Sequence, residues 1–235
     1  MFIEKNSQFL GLFIDTSTER GIAALFNDHQ LIWNIDLPIG LQNSKTLIPT
    51  LVKAFEELNL NPSQLSLIST GIGPGSYTGI RVGVCVAKAL SFARKIPLIG
   101  ICSLSGFIPN EEGKFLSLID ARIGGYYCQT GVNENGVINN LSEPFIRSLE
   151  EIEPYLRDTT FIVTPNLSVK TKIITVYPYL SCHWIEKSPN PDRMAQLTKM
   201  KYENDDFTLD GHLEVLYLRK TQAELEKKVN PKESS

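Results

Sequence analysis

The sequence is poor in the side chains that build metal sites and disulfide frameworks. Its 235 residues include 4 cysteines and 3 histidines. No two cysteines have C-x-x-C spacing and no two histidines are four residues apart, so the common patterns of zinc ligation are missing. Each cysteine lies in or next to an apolar segment, which is typical of reduced, buried thiols in a cytoplasmic protein. We therefore expect no metal and a cytoplasmic location.

Long apolar runs and an excess of basic charge are also missing. Hydrophobic residues make up 42% of the chain, but no run approaches the length of a membrane span. With 23 basic and 26 acidic residues, the net charge of −3 lacks the basic footprint of a nucleic-acid-binding protein. We expect no membrane contact, and contact with RNA only locally or through a partner.

A glycine-rich loop between a short apolar strand and a long apolar helix is the strongest local pattern. The strand begins at Leu65, the loop runs from Gly71 to Gly79, and the helix is predicted over 79–94. A dinucleotide fingerprint, a Walker loop and a hydrolase nucleophile turn each require a spacing that this loop lacks. Free N–H groups in the loop could hold an anion. A tight strand-to-helix turn beside a packing surface is the favoured interpretation.

The order of predicted elements repeats along the chain. Apolar runs and turn residues predict β-β-β-α-β-α-β up to about residue 104, including an amphipathic helix over 43–58. A similar strand, turn and returning strand begin at residue 115. Aligning the two segments places Asp15 and Asp120 each at the end of a first strand. We predict an α/β protein with two similar lobes, each built on β-β-β-α-β-α. The expected divisions are a first lobe at 1–104, a divergent second lobe at 105–220 and a charged tail at 221–235.

Four short motifs resemble one family of the actin-like ATPase and sugar-kinase architecture. The run from Gly73 to Arg81 is specific, whereas D-T-S-T alone would be a weak signal. On these motifs the chain resembles the TsaB (YeaZ) family, strongly over 10–104, clearly at 119–127 and weakly afterwards. The motifs are Ile14-Asp-Thr-Ser-Thr18, Gly73-Pro-Gly-Ser-Tyr-Thr-Gly-Ile-Arg81, Ile119-Asp-Ala-Arg122 with Tyr127, and Tyr217-Leu-Arg219.

The resemblance implies a non-catalytic assembly subunit that helps to make threonylcarbamoyladenosine beside the tRNA anticodon. Such a subunit pairs with the catalytic subunit TsaD, the ATPase TsaE joins the complex, and a homodimer through the same face is allowed. It requires no cofactor of its own, since ATP is used by the complex, and it reaches tRNA only through the complex. TsaD carries a His-x-x-x-His metal motif on the helix equivalent to 43–58. This chain has no histidine there, and Asn43 stands where family members often have one.

The helix over 79–94 carries more apolar surface than one small lobe normally covers. Gly79, Gly83 and Ala87 share one face of it, which would let another backbone approach closely. We therefore expect this helix and the helix over 43–58 to form the partner-binding surface. The predicted contact residues are Leu47, Leu51, Phe55, Tyr77, Ile80, Arg81, Gly83, Val84 and Ala87.

The two acidic turns allow two interpretations. Asp15 and Asp120, with Thr16, Ser17 and Arg122, could flank the metal of a weakly bound nucleotide in a cleft. Alternatively, each aspartate caps its own turn by accepting hydrogen bonds from nearby N–H groups. The caps are favoured because the first turn lacks the glycine usual in phosphate loops. An active ATP-dependent kinase or glycoprotease-like enzyme of the same fold is the alternative function.

Overall fold

Two β-sheets with flanking helices make up the protein. The computed structural model describes residues 10–28, 30–40, 43–122 and 124–218, with the backbone alone at 43 and 44. The predicted tail at 221–235 and the motif residue Arg219 lie outside the described residues. The elements of the first half are β1 (Leu10–Asp15), β2 (Ile22–Asn27), β3 (Gln30–Asp36), α1 (Asn43–Glu57), β4 (Leu65–Gly71), α2 (Tyr77–Arg94) and β5 (Leu98–Ile101).

A short 3₁₀ turn at Ser103–Gly106 leads into the second half. Its sheet repeats the architecture of the first with shorter helices. The elements are β6 (Gly113–Asp120), β7 (Tyr126–Glu134), β8 (Val137–Asn139), β9 (Phe145–Arg147), α3 (Glu153–Arg157), β10 (Phe161–Thr164), α4 (Ser168–Val176), β11 (His183–Glu186) and α5 (Pro191–Glu203).

The first sheet is a buried central layer with helices on both faces. Its strand order is β3-β2-β1-β4-β5, with β1 parallel to β4 and antiparallel to β2. Successive side chains of a strand point to opposite faces. Accordingly, Leu12 and Ile14 of β1 pack in the cluster formed with α1 and α2, while Phe13 packs with Met194 of α5. All six residues of β1 are buried, as their unbroken apolar run predicts.

The second sheet has the same topology. Its order is β11-β10-β6-β7-β8, which matches the first sheet when each strand is replaced by its equivalent, and β9 pairs with β7 as an addition. Leu116 and Leu118 of β6 pack with Leu156 of α3 and Ile173 of α4. The predicted two-lobe α/β architecture, with β-β-β-α-β-α in each lobe, is confirmed.

Helix α5 packs on the first sheet, although its sequence position places it in the predicted second lobe. Met194, Ala195 and Tyr202 lie in the same cluster as Phe13 of β1. The Thr198 hydroxyl donates to Met194 O at 2.7 Å and lies 2.8 Å from the Ser69 hydroxyl on β4. The stretch 105–220 therefore does not pack as one unit, because the apolar face of α5 covers the otherwise open side of β1 and β4.

Several boundaries and elements differ from the prediction. The helix predicted to begin at Gly79 begins at Tyr77, because the Ser76 side chain caps it. Helix α3 is a short helix of five residues. Strand β9, helix α4 and strand β11 were not predicted. Among the described residues, no helix is both long enough and apolar enough to cross a membrane.

Candidate functional site

The turn after β1 is closed by its own side chain. Oδ1 of Asp15 accepts a hydrogen bond from the Ser17 N–H at 2.7 Å. Asp15, Thr16 and Ser17 are buried, at 1%, 2% and 1% exposed. Burial raises the pKa of the Asp15 carboxyl, against the lowering effect of the neighbouring Ser17 and Ser103. The turn thus has the capped geometry that the sequence favoured, and its three residues are covered where a nucleotide would need them open.

The glycine-rich loop provides this cover. The Ser76 N–H donates to the Ser17 carbonyl oxygen at 2.7 Å, and the Thr16 hydroxyl donates to the Gly79 carbonyl oxygen at 2.7 Å. A Cβ at Gly79 would collide with the carbonyl oxygen of Thr16, so a side chain there would push loop and turn apart. Ser76 Oγ also accepts from the Gly79 N–H at 3.3 Å, which caps α2. The loop is therefore a tight packed turn, and the surface it packs on belongs to the same chain.

Gly83 lies inside the first lobe. A Cβ at this position would be 2.8 Å from Thr16 Oγ1 and 3.4 Å from Thr70 Oγ1. The prediction that Gly83 lets a partner backbone approach is wrong, because the space beside it is filled by threonines of its own lobe. An arginine here would overpack the lobe and would not test a subunit contact.

Most of the predicted contact residues on α1 and α2 are buried in the first lobe. Tyr77 and Arg81 are exposed, and the other seven of the nine are not. A helical period of apolar residues identifies the side of a helix that faces its own core. The helical spacing used for the prediction therefore selected core-facing side chains, which a partner cannot reach in this conformation. The seven are Leu47, Leu51, Phe55, Ile80, Gly83, Val84 and Ala87.

The same two helices expose other apolar side chains. Ile48 and Val52 of α1 are 46% and 52% exposed, and Phe92 of α2 is 81% exposed. Cys85 of α2 is exposed and follows Arg81 by four positions, so both lie on one side of the helix. We call Ile48, Val52, Arg81, Cys85 and Phe92 the outer helix face. No spacing in the sequence identifies this face, because the buried Leu47, Leu51 and Phe55 recur every four residues as Ile48 and Val52 do.

The turn after β6 has the same cap as the turn after β1. Oδ1 of Asp120 accepts from the Arg122 N–H at 2.7 Å, as Asp15 accepts from Ser17. Oδ2 of Asp120 pairs with Lys172 of α4 at 3.1 Å. The contact of Arg122 with Asp120 is therefore made by the Arg122 backbone N–H. The ion pair of Asp120 is made by Lys172, which the sequence analysis did not predict.

Arg20 joins the two lobes at the ends of their strands. Its Nε donates to the carbonyl oxygen of Pro165, which follows β10, at 2.7 Å. Its Nη2 lies 3.3 Å from Oε2 of Glu186, the last residue of β11. Oε1 of Glu186 accepts from the Leu167 N–H at 3.1 Å. These partners are about 145 residues or more from Arg20 in the chain, so no local sequence pattern indicated this contact.

The four cysteines, all among the described residues, differ in their exposure. Burial raises the pKa of the Cys128 thiol to about 12 and raises the pKa of Cys102 and of Cys182 above the ordinary value. Cys85 is exposed. In the part of the chain that the structure describes, no three His, Cys, Asp or Glu side chains are grouped to hold a metal ion. Because Cys85 is exposed and burial raises the pKa of the other three thiols, a thiol reagent in solution should react first with Cys85.

Known proteins are similar to about half of this chain. Residues 41–151 match the family model described as "TsaD: tRNA N6-adenosine threonylcarbamoyltransferase". The "tRNA threonylcarbamoyladenosine biosynthesis protein TsaB" of Escherichia coli (strain K12) is 29% identical over 132 residues, covering 54% of this chain and 57% of that protein. The protein of the same description from Bacillus subtilis (strain 168) is 30% identical over 133 residues, covering 55% and 58%. Over about half of its length, this chain is therefore similar to the TsaB proteins.

Solved structures show that the TsaB fold extends beyond these alignments. "YeaZ from Pseudomonas aeruginosa" has a TM-score of 0.73 at 18% identity, covering 89% of this chain and 100% of the other. A second Pseudomonas aeruginosa structure, an "uncharacterized protein with similarity to peptidase YEAZ", has a TM-score of 0.75 at 19% identity, covering 90% and 100%. The sequence alignments span just over half the length of the TsaB relatives, so the likeness over the remainder is one of fold.

Proposed function

We propose that this protein is an assembly subunit in the biosynthesis of threonylcarbamoyladenosine in tRNA. In this proposal it pairs with a TsaD-like catalytic subunit in the cytoplasm and contributes a docking surface, not a catalytic group. The observation that carries the proposal is the outer helix face, where Ile48, Val52 and Phe92 are left 46%, 52% and 81% exposed by their own lobe. Exposed apolar side chains grouped on adjoining elements commonly mark protein contact sites.

The match to the TsaD model suggests the form of the partner surface. Residues 41–151 include both α1 and α2. A TsaD-like partner would then present a similarly built pair of helices, and two such layers can pack against each other. A specific interface needs roughly 800 Å² from each partner, which two exposed helices can supply. The same reasoning allows a homodimer through this face when the partner is absent.

The buried first turn suggests where ATP is used. Asp15, Thr16 and Ser17 are covered by the glycine-rich loop, so a nucleotide could contact them only if the loop moved. We propose that this subunit requires no cofactor and that ATP is bound by other members of the complex, including a TsaE-like ATPase. Contact with tRNA is then made through the complex.

A charge placed on the outer helix face tests the docking surface. Val52→Asp should weaken pairing with the TsaD-family protein of the same genome at least tenfold, because it buries a carboxylate at an apolar contact. Val137→Asp is the matched control, since Val137 is 58% exposed on β8 of the other lobe. Affinity is measured by calorimetry, with circular dichroism to verify that both variants fold. Equal affinity for the two variants would refute the docking face.

Alkylation of Cys85 provides an independent readout of the same contact. The other three thiols have raised pKa values because of burial, so a maleimide at pH 7 should react first with Cys85. Docking should slow this reaction at least tenfold when the partner is saturating, and Val52→Asp should remove the protection. Unchanged labelling of Cys85 in a complex of proven stoichiometry would place the interface elsewhere.

Transfer of labelled threonine into tRNA tests the assigned role. The reaction should require this chain together with the TsaD-family protein and ATP, and Val52→Asp should lower it in proportion to lost pairing. The chain alone, supplied with threonylcarbamoyl-adenylate and unmodified tRNA, should form no product. Product formed by the chain alone would show that it is itself the catalyst.

A further inference from the structure

The C-terminal segment, residues 207–218, is anchored on the first lobe beyond α5. Thr208 pairs with Leu98 on the edge strand β5, through hydrogen bonds of 2.9 and 3.0 Å. Leu213 packs against the core cluster beneath α1 and α2. The Leu216 N–H donates to the carbonyl oxygen of Ile72, at the start of the glycine-rich loop, at 2.9 Å. These contacts fix the path of the segment across the sheet edge and the loop.

This path brings Tyr217 to the first turn of α2. Its ring stacks on that of Tyr77, with centroids 5.5 Å apart and an interplanar angle of 29°. The guanidinium carbon of Arg81 lies 3.9 Å from the centroid of the Tyr77 ring. The nearby Tyr217 and Tyr77 side chains raise the pKa of Arg81. Two rings and a guanidinium are thus held together, although Tyr77 and Tyr217 remain 48% and 43% exposed.

Arg81 keeps unused hydrogen-bonding capacity in this arrangement. A guanidinium has five N–H donors in a rigid plane that fits a carboxylate, and the tyrosine hydroxyls can accept only some of them. Within 10–28, 30–40, 43–122 and 124–218, no carboxylate forms an ion pair with Arg81. Stacking on Tyr77 restricts the side chain, which lowers the entropy lost on binding.

We propose that Tyr217 is a positioning residue that holds Arg81 and Tyr77 ready for a carboxylate of the protein partner. The C-terminal segment is then part of the docking site, and the partner carries an Asp or Glu where it meets the first turn of α2. This inference rests on the proposed function, because it assigns a recognition element to the same outer helix face. We favour a protein carboxylate over a nucleobase because Arg81 lies on the same side of α2 as the exposed Cys85. Arg81 therefore belongs to the outer helix face, which is the proposed protein contact.

The test measures the affinity of the full chain for the TsaD-family protein of the same genome at low and high salt. Arg81→Gln should weaken pairing at least about fivefold at low salt, as expected for a hot-spot arginine, and should remove most of the salt dependence. Tyr217→Leu removes the ring that stacks on Tyr77, and it should weaken pairing about threefold. In the Arg81→Gln background the same change should cost nothing further, because Tyr217 acts through Arg81.

Each alternative outcome overturns a stated part of the inference. Normal pairing by Tyr217→Leu, or a full additional loss in the double variant, removes the positioning role. Affinity that does not change with salt removes the partner carboxylate. If Tyr217→Ala and Tyr77→Ala instead reduce binding of the isolated chain to tRNA, the rings are a base-stacking surface and the protein-carboxylate assignment is wrong. Val52→Asp separates this inference from the docking proposal: if it abolishes pairing while the Tyr217 variants pair normally, only the positioning role is lost.

Discussion

Asp15 is a carboxyl group buried at the end of a central strand. Burial raises its pKa, against the lowering effect of the neighbouring Ser17, whose N–H donates to Oδ1, and of Ser103. Cys102 is the neighbouring titratable group that interacts with it, and burial raises the pKa of that thiol as well. The raised pKa means that the folded protein holds the Asp15 proton to higher pH than the unfolded chain does.

Replacing this carboxyl by an amide should therefore stabilise the protein at neutral pH. As pH rises above about 3.8, the unfolded chain releases the Asp15 proton before the folded chain does, so the unfolding free energy falls. Asp15→Asn keeps an oxygen that can accept from the Ser17 N–H, and it should exceed the parent in urea unfolding at pH 7, with a gap that narrows toward pH 4.

Two further substitutions control this experiment. Asp120→Asn makes the same change in the equivalent turn, and Asp15→Ala should cost about 0.5–2 kcal/mol through loss of the turn cap. A parent protein more stable than Asp15→Asn at pH 7, with the difference growing as pH rises, would show that the charged form is favoured in the fold.

At the scale of elements, the packing of α5 decides which sheet depends on it. Met194 is fully buried in the cluster with Phe13 of β1, and Ile173 of α4 is fully buried against the second sheet. Each truncation to alanine should lower the unfolding free energy by about 2–5 kcal/mol. In hydrogen exchange, Met194→Ala should accelerate the amides of β1 and β2, whereas Ile173→Ala should accelerate those of β6 and β10. Faster exchange of the second sheet in Met194→Ala would contradict the observed placement of α5.

At the scale of the whole molecule, Arg20 makes a long-range contact between the two lobes, through a hydrogen bond and an ion pair. Its contacts with Pro165 and Glu186 join strand ends of different lobes, while the chain itself crosses between the lobes at the 3₁₀ turn 103–106 and again between β11 and α5. The side chains of Arg20 and Glu186 are 24% and 32% exposed, so water partly screens their ion pair. Removing this ion pair and the hydrogen bond to Pro165 should lower the unfolding free energy by about 1 kcal/mol. The larger expected effect is on the angle between the lobes.

Arg20→Ala should therefore widen the distribution of distances between the lobes. Spin labels at exposed positions of β3 and β8 would report this distribution by pulsed electron paramagnetic resonance. Lys114→Ala is a matched control, since Lys114 pairs with Asp158 within the second lobe at 2.7 Å. An unchanged distribution in Arg20→Ala would mean that the two chain crossings and the packing of α5 hold the lobes without this contact.

The elements of the first lobe and their order were determined by the sequence itself. An apolar run makes β1 a central strand and helical spacing makes α1 an amphipathic helix, since each depends on neighbours within a few positions. The repeated strand ending in Asp15 and Asp120 likewise predicted two equivalent capped turns. Strand β11 escaped prediction because its four residues are half exposed and carry no clear period.

Tertiary structure alone decided which surfaces are free. Local spacing shows that a helix has an apolar side, but only the packed lobe shows that Gly83 faces Thr16 and that Val52 faces outward. The placement of α5, the tie through Arg20 and the stacking of Tyr217 on Tyr77 join residues far apart in the chain. Such contacts depend on how the folded elements compete for apolar surface and hydrogen-bonding groups, and that competition leaves no local pattern.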